Sequence, residues 1–132
     1  MTRAVAIGLK IPDNTAFTAA VALRRLGIGV ERVERSEIWF FEDEGSALIE
    51  RVKADETTFN PNKHCVTVLD EAAPRSGEVW IEPLEACPER SRRAAATAWR
   101  LFGPNEATLD RESLGAAVER LLCNPAIERA VY

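Results

Sequence analysis

The chain is poor in the residues that most often announce chemistry. It has one histidine, one methionine, one tyrosine and three cysteines in 132 residues. Cys65, Cys87 and Cys123 are odd in number and far apart, and no Cys-x-x-Cys or Cys/His ligand spacing occurs, which leaves no sequence basis for a zinc site. Buried or neutral thiols are the expectation. No apolar run is long enough to span a bilayer. The opening MTRAVAIGLKIPDN reads as a strand and lacks the charge, long apolar core and small-residue cleavage site of an export signal. Basic residues do not dominate either. With 17 Lys and Arg against 21 Asp and Glu the net charge is −4, the wrong sign for an extended nucleic-acid footprint. The expectation is a cytoplasmic chain with neither nucleic acid nor membrane among its partners, and no cofactor is indicated.

What is present is a hydrophobic fraction of 46 %. A chain of this length buries roughly two-thirds of its unfolded surface, enough for one compact unit or two small ones tightly joined.

RAVAIGLKI (3–11) is β-branched and apolar on both faces, as a central strand requires. Pro12 and Asp13 open a helix in which Ala16, Ala19, Ala20, Leu23 and Leu26 share a face, with Gly27 as its cap. GVERVERSEIWFFE (29–42) ends in alternation. Ser36, Ile38 and Phe40 face one way, while Glu37, Trp39 and Phe41 face the other. A short helix carrying Leu48 and Val52 follows over 44–56. Asn60-Pro61 breaks the helical run, and HCVTVL (64–69) is a strand.

DEAAPRSGE (70–78) carries the linker signal, dividing the chain into 1–71, a connection at 72–77, and 78–132. EVWIEPL (78–84) reads as a strand. A second helix is expected from about Pro88, with Ala95, Ala98, Trp99 and Phe102 on one face and Gly103-Pro104 stopping it. Asp110 caps a last helix bearing Leu114, Ala117, Val118, Leu121 and Leu122. Asn124-Pro125 ends that helix, and the tail AIERAVY returns as a strand.

The order of elements repeats. Pro12, Arg24 and Gly27 match Pro88, Arg100 and Gly103 at constant spacing, and Asn60-Pro61 matches Asn124-Pro125 at a shorter one. In this alignment NEATL (105–109) replaces the long second strand. The pattern predicts an α+β fold of two ferredoxin-like βαβαβ halves forming a pseudo-dimer.

The ending LLCNPAIERAVY resembles the close of PurS, the small subunit of phosphoribosylformylglycinamidine synthase. Leu121, Leu122, Asn124, Pro125, Ile127 and Glu128 stand where that family has its leucine pair, Asn-Pro, branched apolar and acidic residues. The start is similar too, with an apolar strand, Lys10, Asp13, an alanine-rich helix and Gly27. The resemblance is clear over 1–42 and 110–132. Family members are shorter and pair as dimers, so a fused chain would imitate such a dimer. The resemblance implies a non-catalytic subunit bridging the synthetase and glutaminase subunits, so that ammonia passes unhydrated between their active sites. A homo-oligomer is open to it as well. One departure is plain. Where the family shows an Arg and then Gly-Lys, this chain has Glu34, Ser36 and Glu37, which would reverse contacts that need cations there.

Candidate chemistry is sparse. His64 and Cys65 are strand neighbours whose side chains point to opposite faces, a poor arrangement for a thiol–imidazole dyad. Gly27 and Gly29 follow a helix and lack the third glycine of a dinucleotide loop. Glu42, Asp43 and Glu44 form a charge run beyond a strand. ERSRRAAATAWR (89–100) clusters Arg90, Arg92, Arg93 and Arg100 in an acidic protein. Arg90, Arg93 and Arg100 are the candidate contacts for an anion or an acidic partner, with ordinary solvated arginines as the alternative. A stand-alone regulatory module binding a small anionic ligand is the second functional expectation.

Overall fold

A computed structural model describes residues 2–42, 45–56, 58–84 and 94–132. In chain order the elements are β1 (Thr2–Leu9), α1 (Asn14–Arg25), β2 (Arg32–Glu42), α2 (Leu48–Ala54), β3 (His64–Val68), β4 (Glu78–Pro83), β5 (Ala96–Phe102), α3 (Arg111–Ala117) and β6 (Glu128–Val131). The α3 helix runs on as a π-helical turn over Val118–Leu122. The fold is α+β. One six-stranded sheet has the order β3-β1-β2-β5-β4-β6, with every neighbouring pair antiparallel. No described helix is long and apolar enough to cross a membrane.

The three helices of the described residues lie on one face. In β1, Val5 and Ile7 pack with Leu48 and Val52 of α2 and with Phe59. Val33, Val79, Ile81 and Leu101 pack with Ala16, Ala20 and Leu23 of α1 and with Leu114, Ala117 and Leu122. Leu23 and Leu101 are fully buried, and burial of such a side chain contributes about 1.5–3 kcal/mol. Asp13 starts α1 as expected, its Oδ1 accepting from the Thr15 and Ala16 N–H groups at 3.0 and 3.1 Å. Asp110 does the same for α3 through Ser113 N–H at 2.7 Å.

The opposite face is built on alanine. Ala4, Ala6, Ala96 and Ala98 surround Trp80 and Ile38. Their small side chains leave depth for an indole to lie within the sheet surface, and Phe40 meets that indole edge-on at 6.5 Å. Residues 69–77 must pass β1, β2 and β5 to carry the chain from the β3 edge to β4. Leu69 packs into the alanine-lined cluster on the way.

One expectation fails here. The stretch predicted as a helix from about Pro88 to Phe102 is, over 96–102, the strand β5, paired with β2 on one side and β4 on the other. Residues 88–93, with Arg90 and Arg93, lie outside the described residues. Helical periodicity of Ala95, Ala98, Trp99 and Phe102 was coincidental. A strand buried on both faces also offers apolar residues at every spacing, and the pairing offered by β2 and β4 outweighs the helix propensity of alanine. The match of Arg24 and Gly27 to Arg100 and Gly103 falls with it, because one pair belongs to a helix and its C-terminal turn and the other to a strand and its end. NEATL is likewise no substitute strand; Thr108 makes only a bridge to Phe102.

The two Asn-Pro turns, in contrast, have the same construction. The Asn60 carbonyl accepts from the Lys63 and His64 N–H groups at 3.1 and 2.8 Å, and that of Asn124 accepts from Ile127 and Glu128 at 3.0 and 2.8 Å. Asn60 Oδ1 accepts from Asn62 N–H, and Asn124 Oδ1 from Ala126 N–H. Each asparagine N–H donates to the side chain four residues on, His64 Nδ1 or Glu128 Oε1, at 2.9 Å in both.

Candidate functional site

Two concavities lie along β2. On the helix side a cleft of about 340 Å³ crosses the sheet and is lined by Gly8, Asp13, Arg35, Glu37, His64, Thr97 and Glu128 among others. Asp13 has a second role in it. The carboxylate that caps α1 also receives Arg35, Nε to Oδ2 at 3.0 Å and Nη2 to Oδ1 at 3.3 Å. A forked pair of this kind fixes both partners. His64 accepts the Asn60 N–H at Nδ1, so the ring proton sits on Nε2.

Cys65 is on the other side. Register places His64 opposite Leu9 and Cys65 opposite Gly8, on opposite faces, as alternation requires. The thiol and imidazole do not meet. Cys123 is half-buried, and burial, with the nearby Glu128 carboxylate adding to it, pushes its thiol above the ordinary value. Cys87, Asp43 and Glu44 fall outside the described residues.

The second concavity is a groove of about 410 Å³ along the start of β2, where that strand extends past the end of β1. Its charged lining is Asp13, Arg32, Glu34, Arg35, Arg75 and Arg100, and Gly8, Ser36, Cys65 and Thr67 line it as well. Arg32 is bound by Glu34 and Glu106, whose hydrogen bonds raise its already high pKa further, Glu106 contributing most. The Arg32 guanidinium also lies 4.1 Å from the Phe102 ring centre.

Behind the groove is a buried carboxylate. Glu78 is 1 % exposed. Arg75 Nη2 donates to its Oε2 at 2.7 Å, Arg75 N–H to Oε1 at 2.9 Å, and Trp80 Nε1 to Oε1 at 3.0 Å. Burial alone would push the Glu78 carboxyl up. The Arg75 bonds and charge, with Trp80, outweigh that and hold it below its ordinary value.

Of the three arginines singled out by sequence, only Arg100 can be placed. It lines this groove beside Arg32 and Arg75, neither of which sequence reasoning picked. The ion pairs Asp13–Arg35 and Arg75–Glu78 were missed as well. A carboxylate two residues before a tryptophan on one strand face, as in Glu78 and Trp80, was the available signal for the second. Among the described residues no three His, Cys, Asp or Glu side chains form a metal-holding group. No family model, no curated protein and no solved structure matches the chain.

Proposed function

We propose that the chain is a fused pseudo-dimer acting as a non-catalytic, PurS-like assembly subunit in the cytoplasm. It would bridge the synthetase and glutaminase subunits of phosphoribosylformylglycinamidine synthase. The single observation that carries the pseudo-dimer is the strand order. Matching β1, β2 and β3 to β4, β5 and β6 makes β3-β1-β2-β5-β4-β6 read third, first, second and then second, first, third. Details of register agree with that match. Val5 lies opposite Trp39 as Val79 lies opposite Trp99. Lys10 N–H donates to Lys63 O as Leu84 N–H donates to Ile127 O, at 2.8 and 3.0 Å, and the two Asn-Pro turns correspond bond for bond. Under this match a two-fold axis runs through the Glu37–Thr97 pair at the β2–β5 seam, both of which line the helix-side cleft.

The bridging role itself rests on the resemblance of the chain's start and end to PurS. Two-faced, dimer-like subunits suit the holding of two partners in register. Mixing the purified chain with the large synthetase and glutaminase subunits of its own organism tests it. Glutamine-dependent amidine formation that requires the chain is the expected result; no binding and no gain in activity sinks the reading. A regulatory module for a small anion is the second reading, favoured by the position of Arg100.

A further inference from the structure

Arg100 sits between two carboxylates and bonds to neither. On one side Glu34 of β2 is its register partner, and on the other side Glu78 of β4 is. Glu34 turns to Arg32, and Glu78 turns to Arg75. Arg100 Nε donates to the Ser76 carbonyl at 3.1 Å, and its guanidinium lies 5.3 Å from the Phe102 ring centre. Among the described residues its Nη1 and Nη2 have no acceptor. The hydroxyls of Ser36 and Thr67, which line the same groove, have no partner there either.

We infer that this groove along the start of β2 binds a small phosphate-bearing metabolite. Arg100 and Ser36 grip the anion, and Arg75, whose Nε and Nη2 are taken by Glu78, stands beside them. The inference deepens the second reading above and stands whether or not the chain bridges a synthetase.

Several features favour it. The uncommitted donors of the region are gathered in one concavity rather than scattered. The guanidiniums are held in place before any ligand arrives, Arg75 by a buried carboxylate and Arg100 by a backbone carbonyl and a ring face, which lowers the ordering cost of binding. The floor is small, with Ala6, Gly8 and Ser36, so a ligand can reach the sheet surface. The groove of about 410 Å³ falls in the usual range for small-molecule sites, roughly 300–1,000 Å³. A forked guanidinium plus a hydroxyl is the donor set that phosphate oxygens take best. The carboxylates of Glu34 and Asp13 line the groove too, and each is paired with an arginine other than Arg100, Glu34 with Arg32 and Asp13 with Arg35.

The test is a titration of the intact chain with inorganic phosphate, read by calorimetry and by amide and arginine NMR shifts. Saturable binding is expected, with shifts centred on Ser36, Thr67, Arg75 and Arg100. Arg100→Gln should weaken it about tenfold or more, as befits loss of a charge-assisted donor, and Arg24→Gln should leave it unchanged. Should Arg100→Gln fail to fold by circular dichroism, Arg100→Lys replaces it, with binding reduced several-fold by loss of the fork. Phosphate shifts that never saturate, that chloride reproduces at equal ionic strength, or that persist in the Arg100 variant overturn the inference. None of these outcomes touches the amidine assay.

Discussion

Trp39 and Trp99 stand in the same register relationship: each lies on the helix side of its strand, directly opposite a valine, Val5 for one and Val79 for the other. Trp39 closes the small core under α2, and Trp99 packs against the larger core under α1 and α3. The same tryptophan–valine pairing thus serves two different hydrophobic clusters.

The Asn-Pro turns should respond alike to the same change. Asn60→Ala and Asn124→Ala each remove a side-chain acceptor for the N–H two residues on, a local bond contributing about 0.5–1.5 kcal/mol. Urea unfolding should show similar losses for both and nearly additive loss in the double variant, since the turns share no partner. A large loss at one and none at the other would deny the equivalence.

Glu78 should make stability depend on acid. Its folded pKa lies below its unfolded value. Its contribution is therefore present above the unfolded carboxylate pKa and is lost as pH falls through the folded one. Glu78→Gln should flatten that part of the acid limb in urea melts between neutral and strongly acidic pH. At neutral pH it should cost about 2–4 kcal/mol, toward the lower end for breaking a buried pair because Arg75 keeps partial access to water.

Two glycines should part company. Gly77 has φ of +72°, and a Cβ there would lie 2.6 Å from Thr108 Cβ and 3.0 Å from the Leu101 carbonyl oxygen. Gly77→Ala should cost about 2 kcal/mol or more, combining left-handed strain with the clash. Gly29 has open space around it, and Gly29→Ala should leave stability unchanged or raise it by about 0.4–1 kcal/mol. Thermal melts of the two variants give the comparison.

Asp13 combines two duties that substitution can separate. Asp13→Asn keeps a capping oxygen and loses the ionic fork to Arg35, whereas Asp13→Ala loses both. The alanine variant should be less stable than the asparagine variant by roughly 1 kcal/mol, the usual worth of a cap. Equal melting of the two would mean that the cap contributes nothing here.

Sequence patterns carried most of the fold because most elements declare themselves locally. The cap at Asp13, the alternation over 36–41, the Asn-Pro breaks and the spacing of Leu114, Ala117 and Leu122 all depend on near neighbours. β5 did not declare itself. Ala96 and Ala98 are alanines because Trp80 needs room above them, a reason that lies on another strand. The groove was half legible for the same cause. Arg100 stood out as a cation in an acidic chain, but Arg32, Ser36 and Thr67 reach it only through register across β3, β1, β2 and β5, and Arg75 only through the connection that crosses the sheet.

The seam between β2 and β5 also has a kinetic side. The β1–β2 and β4–β5 pairings, such as Thr2 with Glu42 and Glu78 with Arg100, close shorter loops, whereas the seam joins Arg32 to Phe102 over a separation comparable to that of the β1–β3 pairing. Closures of that length are entropically later than the shorter ones. Until it forms, β2 and β5 are each bare along one side, two sticky ribbons with matching register. Chains meeting in that interval can exchange partners, so crowding during refolding should favour swapped dimers over the closed monomer.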